Sequence, residues 1–176
     1  MVLRSTRDGK DNSIGMLTEN RKETGLVLDF SVAKNISITN LKKVANGIFL
    51  DGRKERDAAR SFVEKLNIKT PSIGQAMVNL SGGNQQKVVL AKWLFSNVDI
   101  LILDEPTRGI DVGAKYEIYC IMNKLVEEGK SIIMISSELP EVLGMSDRIL
   151  VMHRGRINGE LSGEGMSAEQ VMQRAI

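Results

Sequence analysis

Asp99-Ile100-Leu101-Ile102-Leu103-Asp104-Glu105-Pro106 places four consecutive aliphatic residues between acids and ends on a chain-redirecting proline. A run this short, apolar throughout and bounded by a turn signal predicts a strand covered on both faces, the kind that builds parallel α/β sheets. The residues that follow fit that reading. Ile118, Ile121, Met122 and Leu125 recur at helical spacing, Gly129 marks a stop, and Ser131-Ile132-Ile133-Met134-Ile135 is a second apolar run. Strand, helix, strand predicts a parallel pair in one sheet. Upstream, Ile14 to Leu17 reads as another strand, emptying into the polar loop Thr18-Glu19-Asn20-Arg21-Lys22. From about Gly25 to Asn97 the pattern is mostly helical: Ala59, Phe62, Val63 and Leu66 share one face, a turn falls at Thr70-Pro71-Ser72, and a later helix carries Val88 to Leu94. Downstream, Arg148 to Met152 and Arg156-Ile157 flank His153-Arg154-Gly155 as the arms of a hairpin, and Ser167 with Gln170 forms a capping box for a last short helix.

Composition bounds what such a chain can be. With 176 residues, 42% hydrophobic and 26% charged, it falls among globular proteins, and one compact unit is the expectation. No apolar run approaches the roughly 18 residues of a bilayer-spanning helix. The stretch Met1 to Lys10 lacks the apolar segment of a signal peptide, which predicts a cytosolic chain. A single cysteine, Cys120, allows no intrachain disulfide and no cysteine cage for a metal, and is expected to pack in the core. A net charge of +2 without a basic block argues against nucleic acid as a partner.

Two motifs carry chemistry. At the end of the apolar strand, Asp104 can hold a hydrated Mg²⁺, and Glu105, pointing elsewhere because side chains alternate, can orient or deprotonate a water for attack on phosphate. Strand ends of this kind are where open α/β sheets bind ligands. The same acids also read as the solvated close of a buried strand. In Leu80-Ser81-Gly82-Gly83-Asn84-Gln85-Gln86-Lys87, paired glycines at a helix start let backbone N–H groups approach an anion closely, and the helix dipole favours negative charge there. Read alone, that stretch is first of all a Ser-Gly-Gly helix cap.

The combination resolves both. Leu-Ser-Gly-Gly followed about twenty residues later by an apolar strand ending Asp-Glu-Pro-Thr resembles the nucleotide-binding domain of ATP-binding-cassette proteins. Within that family, Leu80 to Lys87, Asp104 to Lys115, Ser136 to Glu141 and Glu19-Asn20-Arg21-Lys22 are similar to the second cassette of the tandem ATPase subunit of bacterial ribose, galactose and xylose importers. The resemblance implies a truncated P-loop NTPase core: a mostly parallel sheet, an α-helical subdomain and a C-terminal β-hairpin in one partial domain over 1–176. Core strand and Q-loop fall at 1–20, helical subdomain and signature helix at 21–97, and the rest of the core at 98–176. It implies Asp104 as the Walker B metal ligand and Glu105 as the catalytic glutamate. Ser81, Gly82, Gly83, Asn84 and Gln85 match the signature that meets ATP held by another cassette, Glu19 the Q-loop and Asp111 the D-loop. Ser137 stands where most cassettes place a histidine at the γ-phosphate, a substitution shared by the second cassette of sugar importers. ATP and Mg²⁺ are the implied cofactors. The implied partners are permease membrane subunits, a second nucleotide-binding cassette and, indirectly, a periplasmic sugar-binding protein, at the cytoplasmic face of the inner membrane.

One part of the pattern is missing from these residues. No Gly-x-x-x-x-Gly-Lys-Ser/Thr occurs, since the Gly-Lys pairs, Gly9-Lys10 and Gly129-Lys130, lack the upstream glycine and the following hydroxyl. The expectation is a carbohydrate-importer ATPase fragment that does not turn over ATP by itself. A non-catalytic fragment supplying its signature in trans, or a non-functional gene remnant, are the alternatives. His153 is expected as a solvated turn residue, Trp93 and the methionines as core filling, and Arg53-Lys54-Glu55-Arg56-Asp57 as a solvated helix face.

Overall fold

The computed structural model describes residues 2–163 and 165–176. In chain order the elements are α1 (Thr6–Asp11), β1 (Ile14–Leu17), a π-helical turn (Arg21–Gly25), α2 (Val32–Ser37), a 3-10 stretch (Ile38–Val44), β2 (Ala45–Asn46), β3 (Phe49–Leu50), α3 (Gly52–Lys65), a 3-10 turn (Met77–Asn79) and α4 (Gly82–Phe95). They continue with β4 (Ile100–Asp104), α5 (Val112–Glu127), β5 (Ser131–Ile135), α6 (Leu139–Met145), β6 (Arg148–His153), β7 (Arg156–Ser162) and α7 (Ala168–Ala175).

The strand that opens the sequence reading lies at the centre of a three-stranded sheet of order β1-β4-β5. Parallel pairing sets Ile14, Gly15, Met16 and Leu17 beside Ile100, Leu101, Ile102 and Leu103. That register puts Gly15, Leu17, Leu101 and Leu103 on one face and Met16 with Ile102 on the other. The first face is covered: Leu17, Leu101 and Leu103 are essentially inaccessible. The α4 helix approaches it so closely that a Cβ at Gly15 would stand 3.0 Å from the Trp93 ring. On the other face Met16 is 43% exposed.

Around α4 the polypeptide builds its main core from Val32, Ile36, Val44, Met77, Val88 and Leu90, all nearly inaccessible. Because α4 is enclosed on nearly all sides, even its lysines are buried. Lys92 donates to the Gly25 carbonyl and lies over the Trp93 ring, and burial pushes its ammonium below the ordinary lysine value.

The chain divides into two compact units, the first ending at Ile133 and the second running Met134–Ile176, where a single unit was expected. The second has its own small core, Ile149, Val151 and Val171, with Leu139, Val142 and Leu161 packed against it. The predicted hairpin is present as antiparallel β6 and β7, with Arg154 and Gly155 both at positive φ in its turn. His153 is not in that turn. It pairs with Arg156, and its Nδ1 lies 2.8 Å from the Ala175 carbonyl oxygen. The Ser167–Gln170 capping box forms as the sequence indicated.

Two further expectations are corrected. Cys120 is exposed, because the buried stripe of α5 passes through Ile118, Met122 and Leu125. Among the methionines, Met77 and Met122 are buried, whereas Met16, Met152 and Met172 are substantially exposed.

Candidate functional site

The acid pair occupies the end of β4 as the sequence indicated, both residues partly buried. A turn follows, closed by Arg108 N–H donating to the Glu105 carbonyl at 3.1 Å, with Pro106 at its second position. Glu105 itself has φ +46, a left-handed conformation uncommon for a side-chain-bearing residue. Such strain costs about 1–3 kcal/mol and persists only where the surroundings over-determine it. Here Leu103, Pro106 and Thr107 are buried on either side. The carboxylate is thereby set off from the line of the strand.

The twin-glycine tip begins α4. Ser81 is the N-cap residue, yet its hydroxyl does not cap the helix backbone and accepts instead from Asn84 Nδ2 at 2.8 Å. Asn84 Oδ1 in turn accepts from Lys69 N–H at 2.7 Å. The first turn carries no acidic side chain, so the positive end of the dipole is not offset there. Gly83 is required sterically and Gly82 is closely packed. A Cβ at Gly83 would lie 2.5 Å from Ala114 Cβ, and one at Gly82 would lie 2.6 Å from an Arg21 guanidinium nitrogen and 3.1 Å from the Gly109 carbonyl oxygen. The tip is therefore seated against the start of α5 and the loop before it.

Arg21 holds these pieces together. Its guanidinium donates to the carbonyl oxygens of Arg108 (2.9 Å) and Gly109 (3.2 Å) and, more weakly, to Gln85 Oε1 (3.4 Å). A planar fork of five donors can span three acceptors in this way, and a lysine cannot. Burial disfavours the charged form and lowers its pKa, but the group stays cationic. Gln85 is buried, its amide also donating to the Met77 carbonyl at 3.0 Å, and Gln86 donates to the Pro106 carbonyl at 2.6 Å. Beside Arg21, Glu19 forms an ion pair with Arg108, and Glu19, Asn20, Arg21 and Arg108 line an open depression of about 280 Å³. Asp111 is the N-cap of α5, its carboxylate accepting from Ala114 N–H at 2.9 Å.

Of the residues singled out in the sequence, Glu19, Ser81, Gly82, Gly83, Asn84, Gln85, Asp104, Glu105 and Asp111 all lie in the first unit. A direct contact ties Glu19 to the loop after Glu105, Arg21 links Gln85 to that loop, and Gly83 abuts the helix that Asp111 caps. The side chains of Asn84, Gln85 and Asp111 are engaged within the protein, and Ser81 is the exposed residue of the tip. Ser137 lies in the second unit, exposed, where Ser136 donates to Glu141. Arg21 and Gln86 had no assigned role in the sequence reading. Arg21 stood inside the polar loop already marked, but only its long-range carbonyl partners reveal what it does.

Among the described residues no cluster of three His, Cys, Asp or Glu could hold a metal. A single strand-end carboxylate such as Asp104 suits Mg²⁺, which keeps several waters and takes phosphate oxygens as ligands. The uncapped helix tip with its close-approach glycines suits an anionic phosphate. Among the described residues no helix is long and apolar enough to cross a membrane.

The chain is 54% identical over 175 residues to a putative ribose/galactose/methyl galactoside import ATP-binding protein of Rhizobium etli, covering 99% of this chain and 33% of that protein. It is 51% identical to a ribose import ATP-binding protein of Oceanobacillus iheyensis (99% and 35% covered) and 54% identical to a xylose import ATP-binding protein of Moorella thermoacetica (97% and 34%). It spans about a third of the length of these relatives. In fold it is similar to a dimeric ATP-binding cassette solved in a post-hydrolysis state with ADP and Pi, with a TM-score of 0.75 and 22% identity, covering 93% of this chain and 69% of that one. The family model described as ABC transporter matches residues 4–108, more than half of the sequence, and the chain belongs to that family.

Proposed function

We propose that this chain is the part of a monosaccharide importer's ATPase subunit that carries the metal-binding strand, the water-orienting glutamate and the signature tip. It corresponds to the C-terminal portion of the second cassette. The observation that carries the reading is the clamp at Arg21, which fixes the loop after Glu105 against the twin-glycine tip in a chain at least half identical to sugar-import relatives.

In this reading Asp104 would hold Mg²⁺ through its carboxylate. Glu105, lifted off the strand by its left-handed backbone, accepts a hydrogen bond from the attacking water and takes up its proton. Ser81, Gly82 and Gly83, steadied by Asn84 and by the buried Gln85, present hydroxyl and backbone donors to nucleotide held on another cassette. Ser137 donates a hydrogen bond at the γ-phosphate without the charge an imidazolium would bring. Glu19 and Asp111 shape the loops on either side. Bound Mg-ATP supplies the phosphoryl group and the cation that neutralises its charge. Permease subunits, a second cassette and, through the permease, a periplasmic sugar-binding protein are the partners. The chain then sits peripherally at the cytoplasmic face of the membrane and is inactive without a phosphate-binding loop.

The test is to combine the purified chain with an N-terminal cassette piece bearing Gly-x-x-x-x-Gly-Lys-Ser/Thr. ATP binding and hydrolysis are expected in the mixture and not in the chain by itself. Glu105→Gln should lower hydrolysis by about 10²–10⁴-fold with binding retained. Hydrolysis unchanged by Glu105→Gln would reject the assigned role.

A further inference from the structure

The hairpin of β2 and β3 serves none of the chemistry above. It turns through Gly47, at φ +62, and projects three consecutive apolar side chains into solvent: Ile48 is 92% exposed, Phe49 74% and Leu50 59%. The projection is held firmly. Asp51 N–H donates to the carbonyl of fully buried Val44 at 2.7 Å, and Lys54 Nζ donates to the Ala45 carbonyl at 3.1 Å across its base. Leu41, 42% exposed, extends the apolar surface on the preceding segment. Phe and Leu at the most exposed point of a well-braced hairpin stabilise nothing inside the chain, so a contact outside it is indicated.

The charge around the tip says what kind of contact. Residues 41–56 contain Lys42, Lys43, Arg53, Lys54 and Arg56 against Asp51 and Glu55, a local excess of +3 in a chain whose total is +2. The two carboxylates are occupied with the protein itself: Asp51 accepts from the N–H groups of Arg53 (2.8 Å) and Lys54 (3.3 Å), and Glu55 accepts from Ser37 Oγ at 2.6 Å. Lys42, Arg53 and Arg56 are exposed. An apolar tip ringed by exposed cations matches a surface with acyl chains beneath an anionic headgroup layer. Lysine is depleted in protein–protein contacts, which sets this rim apart from a protein-docking patch.

We propose that the Ile48-Phe49-Leu50 tip is a membrane-contact element that inserts into the interfacial layer of an anionic bilayer, with Lys42, Arg53 and Arg56 engaging lipid phosphates. The proposal depends on the hairpin and its charges and not on ATP chemistry.

Co-sedimentation of the full chain with vesicles of phosphatidylcholine, with and without phosphatidylglycerol, tests it. Binding is expected to the anionic vesicles only and to fall steeply at high salt. The double variant Ile48→Asp/Phe49→Asp should lower the partition coefficient by at least about tenfold. Lys42→Glu/Arg53→Glu should lower it by about tenfold or more. These side chains are exposed, so the thermal melt of each variant should match the parent, and Ile157→Asp, an exposed apolar residue of the second unit, should bind like the parent. Equal binding to neutral vesicles, or binding that survives Ile48→Asp/Phe49→Asp, would overturn the proposal. So would an equal loss with Ile157→Asp, which would mark general stickiness. A change of oligomeric state without lipid in the tip variant alone would assign the tip to a second copy of the chain instead.

Discussion

Arg21 and Gly83 concentrate the constraint at the residue scale. Arg21→Ala leaves the Arg108 and Gly109 carbonyls and the buried Gln85 amide without their common donor, and should cost about 1–3 kcal/mol. Arg21→Lys should recover less than half of that, because a single ammonium cannot span the three acceptors. Urea midpoints of the two variants and the parent check this, and a lysine variant with the parent's midpoint would show that the fork is dispensable. Glycines separate by their surroundings. Gly83→Ala forces a Cβ to within 2.5 Å of Ala114 Cβ, in a place where neither helix can retreat without opening the core, and should destabilise by about 1–3 kcal/mol. Gly9→Ala, within α1 and with nothing inside 4 Å, should stabilise by about 0.5–1 kcal/mol. A Gly83→Ala variant that melted at or above the parent's temperature would refute the close approach at Gly83.

Between elements, the charged tie from α4 to α5 makes the fold sensitive to acid. Lys87, almost wholly buried, donates to the Asn67 carbonyl and to Glu117 Oε2, both at 2.7 Å. The Lys87 hydrogen bond lowers the Glu117 pKa below the ordinary carboxylate value. A depressed carboxylate contributes stability that is present above its unfolded pKa, about 4.3, and is lost as pH falls through the lower folded value. Stability should therefore decline below about pH 4.3, and Glu117→Gln should flatten that limb while destabilising at neutral pH, because a buried ammonium loses its partner. The Glu117 side chain is 38% exposed, so the pH effect is modest. Chemical denaturation at stepped pH measures it, and an acid limb unaltered by Glu117→Gln would exclude this pair as its source. Of the helix caps, Ser167 with Gln170 was read from the sequence, whereas Asp51 and Asp111, which also cap the helices they precede, were not singled out as caps. The second capping box, Ser5 with Asp8, and the short β2–β3 hairpin were not singled out, since two-residue strands have no periodicity to detect.

At the scale of the molecule, the apolar edge strand β5 is the main liability. Ile133 and Ile135 are 55% and 47% exposed, and β5 is an edge of its sheet. Apolar edge strands template association. Sedimentation velocity should show mass increasing with concentration, and Ile133→Lys/Ile135→Lys should return the chain to monomer; a parent that stays monomeric throughout would contradict this. The sequence by itself determined the strand-helix-strand core, the acid pair at its strand end, the twin-glycine helix start and the family, because each depends on local spacing and residue chemistry. Tertiary structure alone decided that Arg21 bridges segments more than eighty residues apart, that Cys120 faces outward and that three apolar residues crown a cationic hairpin. Those outcomes depend on which surfaces meet across long stretches of chain, and no local pattern encodes that.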